Sequence, residues 1–194
     1  MKEVLVIMGI SVFIFGCGSK LKEYEHLKEP GIRMMPRQKM IVVEVHGDPN
    51  VVGKDAVPTL YKTFFKLGIK GLKAPPAFRA RWPKSLDTPK DQWIGIYGLP
   101  IPESVEKLPT QKKDPKVKIE YWEYGEVAEI LHIGSYSEEL PAIERLHQFI
   151  EDNGYKIAGY HEEEYIKGPG MFFKGNPAKY QTIIRYPIKK KEKG

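Results

Sequence analysis

Three side chains at alternate positions, His161, Glu163 and Tyr165, carry the clearest chemical signal in this 194-residue chain. Alternate residues of an extended strand share a face, so these three project together while Tyr160, Glu162, Glu164 and Ile166 project oppositely. One carboxylate is thereby singled out beside an imidazole and a phenol. In an aromatic-lined cleft such a carboxylate is desolvated, which raises its pKa. An organic cation relieves that cost by ion pairing, and the rings add cation-π attraction. Apolar area then supplies affinity and the carboxylate selects charge. Read by itself, the run Glu162 to Glu164 fits three solvated acids on an edge strand better.

Aromatic residues are the other candidates: Trp82, Trp93, Tyr97, Trp122, Tyr124, Tyr136 and Phe172. Most aromatics are simply core. Trp93 and Tyr97 stand out because their strand borders a groove in the architecture derived below. Residues 167–179, KGPGMFFKGNPAK, place Met171, Phe172 and Phe173 between glycines, which reads equally as a lid over a pocket or as a packed loop.

Other chemistries lack their parts. His46, His132, His147 and His161 form no helical i, i+4 pair around a glutamate, so no metal is expected. Gly168-Pro169-Gly170 has no lysine-serine helix behind it, and there is no Gly-x-Ser-x-Gly elbow. No cofactor is called for. The single cysteine, Cys17, excludes a disulfide framework and a four-cysteine zinc site. A hydrophobic content of 41% and a charged content of 29% exclude disorder and a polytopic membrane architecture. The net charge of +6 is interleaved rather than clustered, the basic end KKKEKG reads as a solvated tail, and no nucleic-acid reader is expected.

Cys17 has its own explanation. Residues 4–15, VLVIMGISVFIF, form an apolar run behind Lys2 that is too short to span a bilayer and reads as a signal-peptide core. The run ends Ile14-Phe15-Gly16-Cys17, which resembles a bacterial lipobox with Cys17 as the lipidated residue. Residues 1–16 are then the signal peptide and 17–35 a tether, and the protein is an exported lipoprotein held on a membrane by its acyl chains, the outer membrane or periplasmic face being favoured.

The elements that must position these residues occur twice. A shift of 86 positions lays IVVEVHG (41–47) over VAEILHI (127–133), Leu60 over Leu146 and Gly68 over Gly154. One further slip lays WIGIYGLPI (93–101) over YQTIIRYPI (180–188). Each copy reads as a strand (39–46 or 126–133), an amphipathic helix, and two more strands (75–82 and 92–99, or 159–167 and 180–187). Asp55 and Ser137 are the expected helix caps, Pro58 and Pro141 belong in first turns, and Gly68 and Asn153-Gly154 are the stops. The expected fold is α+β: duplicated βαββ units forming an antiparallel sheet with the helices on one face and a central cleft between the copies. The domain spans 36–188, with a first half at 36–101, a proline-rich linker at 102–117, a second half at 118–188 and a tail at 189–194.

The second copy resembles the GyrI-like small-molecule-binding domain, the effector-binding domain of AraC-type and BmrR-type regulators. The resemblance rests on His132, Gly134 and Tyr136 as a His-x-Gly-x-Tyr turn, on Asn153-Gly154-Tyr155 and Gly159, on Glu163 and Tyr165, and on the closing IIRYP of 183–187. It implies a cleft that accepts hydrophobic, often cationic, molecules with a glutamate at its base, and it brings Glu163 to the front. The expected ligand contacts are Glu163, Tyr165, Tyr136, Trp93, Tyr97, His161 and Phe172. The function expected is a membrane-anchored binding or sequestering protein for such a molecule. Catalytic members imply an alternative, a hydrolase of cyclopropane-bearing toxins using Glu163. Haem-binding proteins of the SOUL type share the duplicated architecture and supply a third reading, with His46 and His132 as axial candidates.

Overall fold

Apolar residues on both faces of the strands at 38–46 and 125–133 organise the fold. The computed structural model describes residues 23–72, 74–85, 87–111, 114–169 and 175–192; Cys17, Met171, Phe172 and Phe173 lie outside them. In chain order the elements are β1 (Gly31–Met35), β2 (Gln38–His46), α1 (Pro49–Lys66), β3 (Arg79–Trp82), β4 (Ile94–Pro100), β5 (Val117–Trp122), β6 (Gly125–Ile133), α2 (Leu140–Asp152), β7 (Tyr155–Ile157), β8 (His161–Lys167) and β9 (Gln181–Lys190). The strands form an antiparallel sheet in the order β1-β6-β9-β8-β3-β4-β2-β5, and β7 pairs with the far end of β9.

That order is palindromic under the duplication. β6, β9 and β8 of the second copy mirror β2, β4 and β3 of the first, and the two copies meet where β8 pairs with β3. Each copy also has a leading strand that the expected βαββ unit lacked. The register shows these strands exchanged: β1 pairs with β6 of the second copy, and β5 pairs with β2 of the first. Residues 31–35, expected to be tether, are therefore part of the sheet. β1 lacks apolar alternation, because an edge strand buries fewer of its side chains, whereas β5 alternates Val117, Ile119 and Tyr121 with Lys118 and Glu120 but follows directly on the proline-rich stretch.

Both helices lie on one face of the sheet. From β2, Ile41 and Val43 point to α1, which buries Ala56, Leu60 and Phe64 against them. From β6, Ala128 and Ile130 pack with Ile143, Leu146 and Ile150 of α2. The registers Ile41↔Leu99, Tyr97↔Ala80, Ala80↔Glu163, Glu163↔Ile184 and Ile184↔Ile130 join these rows into a single side of the sheet. The opposite side holds Met40, Val42, Trp122, Tyr124 and Val127.

The helix starts correct the expected caps. Asp48, not Asp55, caps α1 through the Asn50 amide at 2.8 Å, with Pro49 in the first turn. Pro58 lies within the helix at an exposed position, and it leaves the Lys54 carbonyl, also on an exposed residue, without its helical donor. Ahead of α2, Ser135 rather than Ser137 closes a capping box with Glu138 around a 3-10 turn. The stops fall as expected, at Gly68 (φ 60°) and Gly154 (φ 75°), where a left-handed residue is needed to leave the helix.

Candidate functional site

The helices stand apart over the middle of the sheet. α1 packs on β2, β4 and β5 and α2 on β6, β7 and β9, so the central pair β3 and β8 lies between them. β8 is therefore an inner strand, bonded on both edges, and the solvated edge-strand reading of Glu162 to Glu164 does not hold. Strand alternation sends His161, Glu163 and Tyr165 to the helix side and Glu162 and Glu164 to the other.

On the far side the acids meet arginines. Arg185, fully buried, donates from Nε to Glu129 (2.8 Å), from Nη1 to Glu162 (2.8 Å) and from Nη2 to Glu164 (3.0 Å). Each of those carboxylates has a second arginine: Arg33 for Glu129, Arg81 for Glu162 and Arg79 for Glu164. Burial by itself would raise the Glu164 pKa, but Arg79 and Arg185 together outweigh it and hold the carboxyl below its ordinary range. The network pins both neighbours of Glu163 in place.

Glu163 itself is treated differently. Its side chain is 12% exposed, and its contacts among the described residues are His161, whose Nε2 lies 2.9 Å away, and Tyr165, whose hydroxyl donates to Oε2. The other ring nitrogen of His161 lies 2.6 Å from the Tyr186 hydroxyl. Tyr97, Ala80, Glu163 and Ile184 form one rung across four strands. The small Ala80 side chain leaves the space above the sheet between Tyr97 and Glu163 to the rings around it.

Those rings make a continuous wall. Tyr165 stacks on Phe78 at 4.4 Å between centroids and meets Tyr136 edge-on at 5.4 Å, and Tyr136 meets Tyr180 at 5.3 Å. Trp82 meets Tyr97 at 5.8 Å and Trp93 at 5.3 Å. Burial first, then the charge of Glu163, pushes the Tyr97 phenol up to about 12 and raises that of Tyr186 too; burial and then Tyr180, Glu139 and Glu163 raise that of Tyr136. All three phenols stay protonated near neutrality and can donate hydrogen bonds. Tyr136 remains 40% exposed at the rim.

The structure thus brings together five of the expected residues, Glu163, Tyr165, His161, Tyr97 and Tyr136. Trp93 joins only through Trp82, with its indole N–H donated to the Thr88 carbonyl at 2.6 Å. Phe172 lies outside the described residues. His46 and His132 do not converge: they lie on β2 and β6, five strand spacings or roughly 24 Å apart along the sheet. His46 contacts Glu44, and His132 contacts the Ser135 carbonyl within the turn. No haem iron could take both. Depressions of about 680 Å³ beside Glu44, His46 and Lys116, and of about 250 Å³ beside His147 and Tyr155, lie away from Glu163.

Besides Tyr180 of the wall, three participants were not expected. Phe78 shares the alternation of Ala80 and Trp82 against Arg79 and Arg81, which marks its face but not its partner. Tyr186 belongs in the same way to the alternation of β9. Glu139 is the third: it is 6% exposed, one of its carboxylate oxygens has no hydrogen-bond partner, and burial followed by the charge of Glu163 pushes its pKa up to about 9. A signal for it exists in the doubled Glu138-Glu139, since a capping box uses only one acid.

A family model described as GyrI-like small molecule binding domain matches residues 28–189. No curated protein matches significantly. Among solved structures, an uncharacterized conserved protein from Listeria innocua is 24% identical, covers 87% of this chain and 98% of its own, and superposes with a TM-score of 0.72. A hydrolase from Listeria innocua is 22% identical with the same coverages and a TM-score of 0.70. The EcmrR C-terminal domain is 18% identical over 84% of this chain and 98% of its own, with a TM-score of 0.63. At these identities the likeness is one of fold.

Proposed function

The chain belongs to the GyrI-like family of small-molecule-binding domains, and from that premise we propose that it binds a hydrophobic organic cation in a cleft between its two halves, over Glu163. The observation that carries this reading is a contrast between the two sides of one strand. Glu162 and Glu164 are each matched by two arginines, whereas Glu163 contacts an imidazole and a phenol among aromatic rings. A carboxylate withdrawn from water with no arginine or lysine beside it among the described residues is stabilised by a ligand that brings a positive charge. The tyrosine wall supplies apolar area and cation-π attraction.

A thermal-shift titration with tetraphenylphosphonium and the neutral triphenylphosphine oxide tests this directly. A ligand present at 100 times its Kd stabilises by about 2.7 kcal/mol. At roughly 2–4 °C per kcal/mol that is a rise of about 5–11 °C in Tm. The cation should exceed the neutral analogue, and Glu163→Gln should remove the difference. Equal shifts from both compounds would remove the carboxylate from the reading.

A second reading is hydrolysis. The Glu163–His161–Tyr186 chain of contacts holds the carboxylate in one orientation, as a general base toward water requires. Ring-opened product from a cyclopropane-bearing electrophile, absent in Glu163→Gln, would establish turnover. The membrane anchor at Cys17 belongs to the same proposal. Cys17→Ala should move the protein from the membrane fraction to the soluble one, and an unmodified Cys17 in an intact chain on mass spectrometry would refute it.

A further inference from the structure

Glu163 is not the sole buried acid on the helix side. Glu139 enters the same space from the residue that leads into α2, and it faces Glu163 and Tyr165 of β8, Tyr136 of the preceding turn and Thr182 of β9. Both carboxyls act on the same two phenols, Tyr136 and Tyr165, whose rings meet edge-on at 5.4 Å. One buried oxygen of Glu139 has no hydrogen-bond partner among the described residues, and the Thr182 hydroxyl beside the carboxyl lowers its pKa by hydrogen bonding without outweighing burial and the charge of Glu163. The charge that acts on Glu139 is another negative one, with no arginine or lysine of the described residues among its influences. Two buried acids on one side of the sheet, one of them short of a partner among the described residues, form an arrangement that positive charge would complete.

We propose that Glu139 and Glu163 together receive an organic dication, and that Glu139 surrenders a proton as the second positive charge arrives. The inference rests on the cation-binding reading above and deepens it by assigning the charge of the ligand. A monocation satisfies Glu163 and leaves Glu139 protonated. A flat dication with its charges at opposite ends of an aromatic core answers both carboxylates and draws the proton from Glu139 into solvent. Charge balance is kept, because two positive charges enter, one proton leaves, and the pair of acids passes from one negative charge to two.

Isothermal titration of the full-length chain with 1,1′-dimethyl-4,4′-bipyridinium and with its monocationic counterpart 1-methyl-4-phenylpyridinium separates the possibilities. The two probes share a shape and differ by one charge. In buffers of different ionisation enthalpy at pH 7 the dication should release about one proton per molecule bound, and its Kd should fall about tenfold for each pH unit between pH 6 and 8. The monocation should release much less. Glu139→Gln should abolish the release and flatten the dication's pH dependence. The wild-type comparison stands without any variant. Dication binding with no proton release, or a pH slope that survives Glu139→Gln, overturns the two-carboxyl assignment. Monocation binding equal to that of the dication at every pH overturns it too and leaves the parent reading intact, whereas failure of both probes to bind removes both.

Discussion

Replacing Arg185 by methionine removes the hub beneath β8 while keeping a side chain of similar reach. The structure sets the scale. Three charge-assisted hydrogen bonds of 2.8, 2.8 and 3.0 Å disappear from a fully buried position. Breaking a buried ion pair by removing one partner costs about 3–5 kcal/mol, since the acids left behind stay desolvated. Arg33, Arg81 and Arg79 still serve Glu129, Glu162 and Glu164, which places the expected loss near the lower end, about 3 kcal/mol. In thermal unfolding monitored by circular dichroism that is a fall of about 6–12 °C. The pH dependence adds a second readout. Glu164 has a folded pKa below its unfolded one, so its contribution is complete above the unfolded value and vanishes as pH falls through the folded one. Without Arg185 that pKa rises, the acid-induced loss begins at higher pH, and the gap between variant and wild type narrows toward low pH. A variant within about 1 kcal/mol of wild type at pH 7, or a gap that widens in acid, would refute the account of the far-side network.

Glu139→Gln provides a prediction of opposite sign. Its folded pKa of about 9 exceeds the ordinary carboxylate value, so wild-type stability declines as pH rises from roughly 4.5 to 9 while that of the variant stays flatter; Tm measured at pH 5 and pH 9 reads the difference directly. Ser135→Ala removes the side chain of the capping box ahead of α2 and should cost about 0.5–2 kcal/mol in denaturant unfolding. Because that turn carries Tyr136 and Glu139, the same variant should weaken cation binding as well. Gly98→Ala would bring a Cβ within 2.9 Å of the Trp122 ring and 3.0 Å of Met40 Cε, and the forced repacking should cost about 1–3 kcal/mol by the same assay.

The sequence carried the fold as far as its patterns are local. Helical spacing at Leu60 and Phe64 and at Leu146 and Ile150, together with the glycine stops, fixed two helices and six strands, and the shift of 86 positions fixed their equivalence. The leading strand β1 has no apolar alternation to mark it, and β5, which alternates from Val117 to Tyr121, is masked by the proline-rich stretch it follows; their crossing to the opposite copy is a matter of pairing, which no one-dimensional pattern encodes. The caps were misplaced for a related reason. Asp48-Pro49 and Asp55 with Pro58 are both acceptable helix starts by composition, and only packing of the first turn against β2 decides between them. At the site, alternation was enough to separate Glu163 from its neighbours, while the fate of those neighbours depended on β8 being an inner strand. Glu139 was hidden because a glutamate before a helix has an ordinary use at the surface, and burial is what changes its chemistry.

The exchanged leading strands bear on what happens when either end of the domain is lost. Proteolysis near residue 30 would strip the flank of β6, in the lobe whose own sequence begins some 85 residues later, and would leave the nearer lobe's strands fully paired. Cutting the connection between the lobes would not free two independent modules, because each would still hold the other's outermost strand. A half-length ancestor built on this plan would have met its missing strand only in a twin, so the continuous sheet would have been a property of the pair before it became a property of one chain.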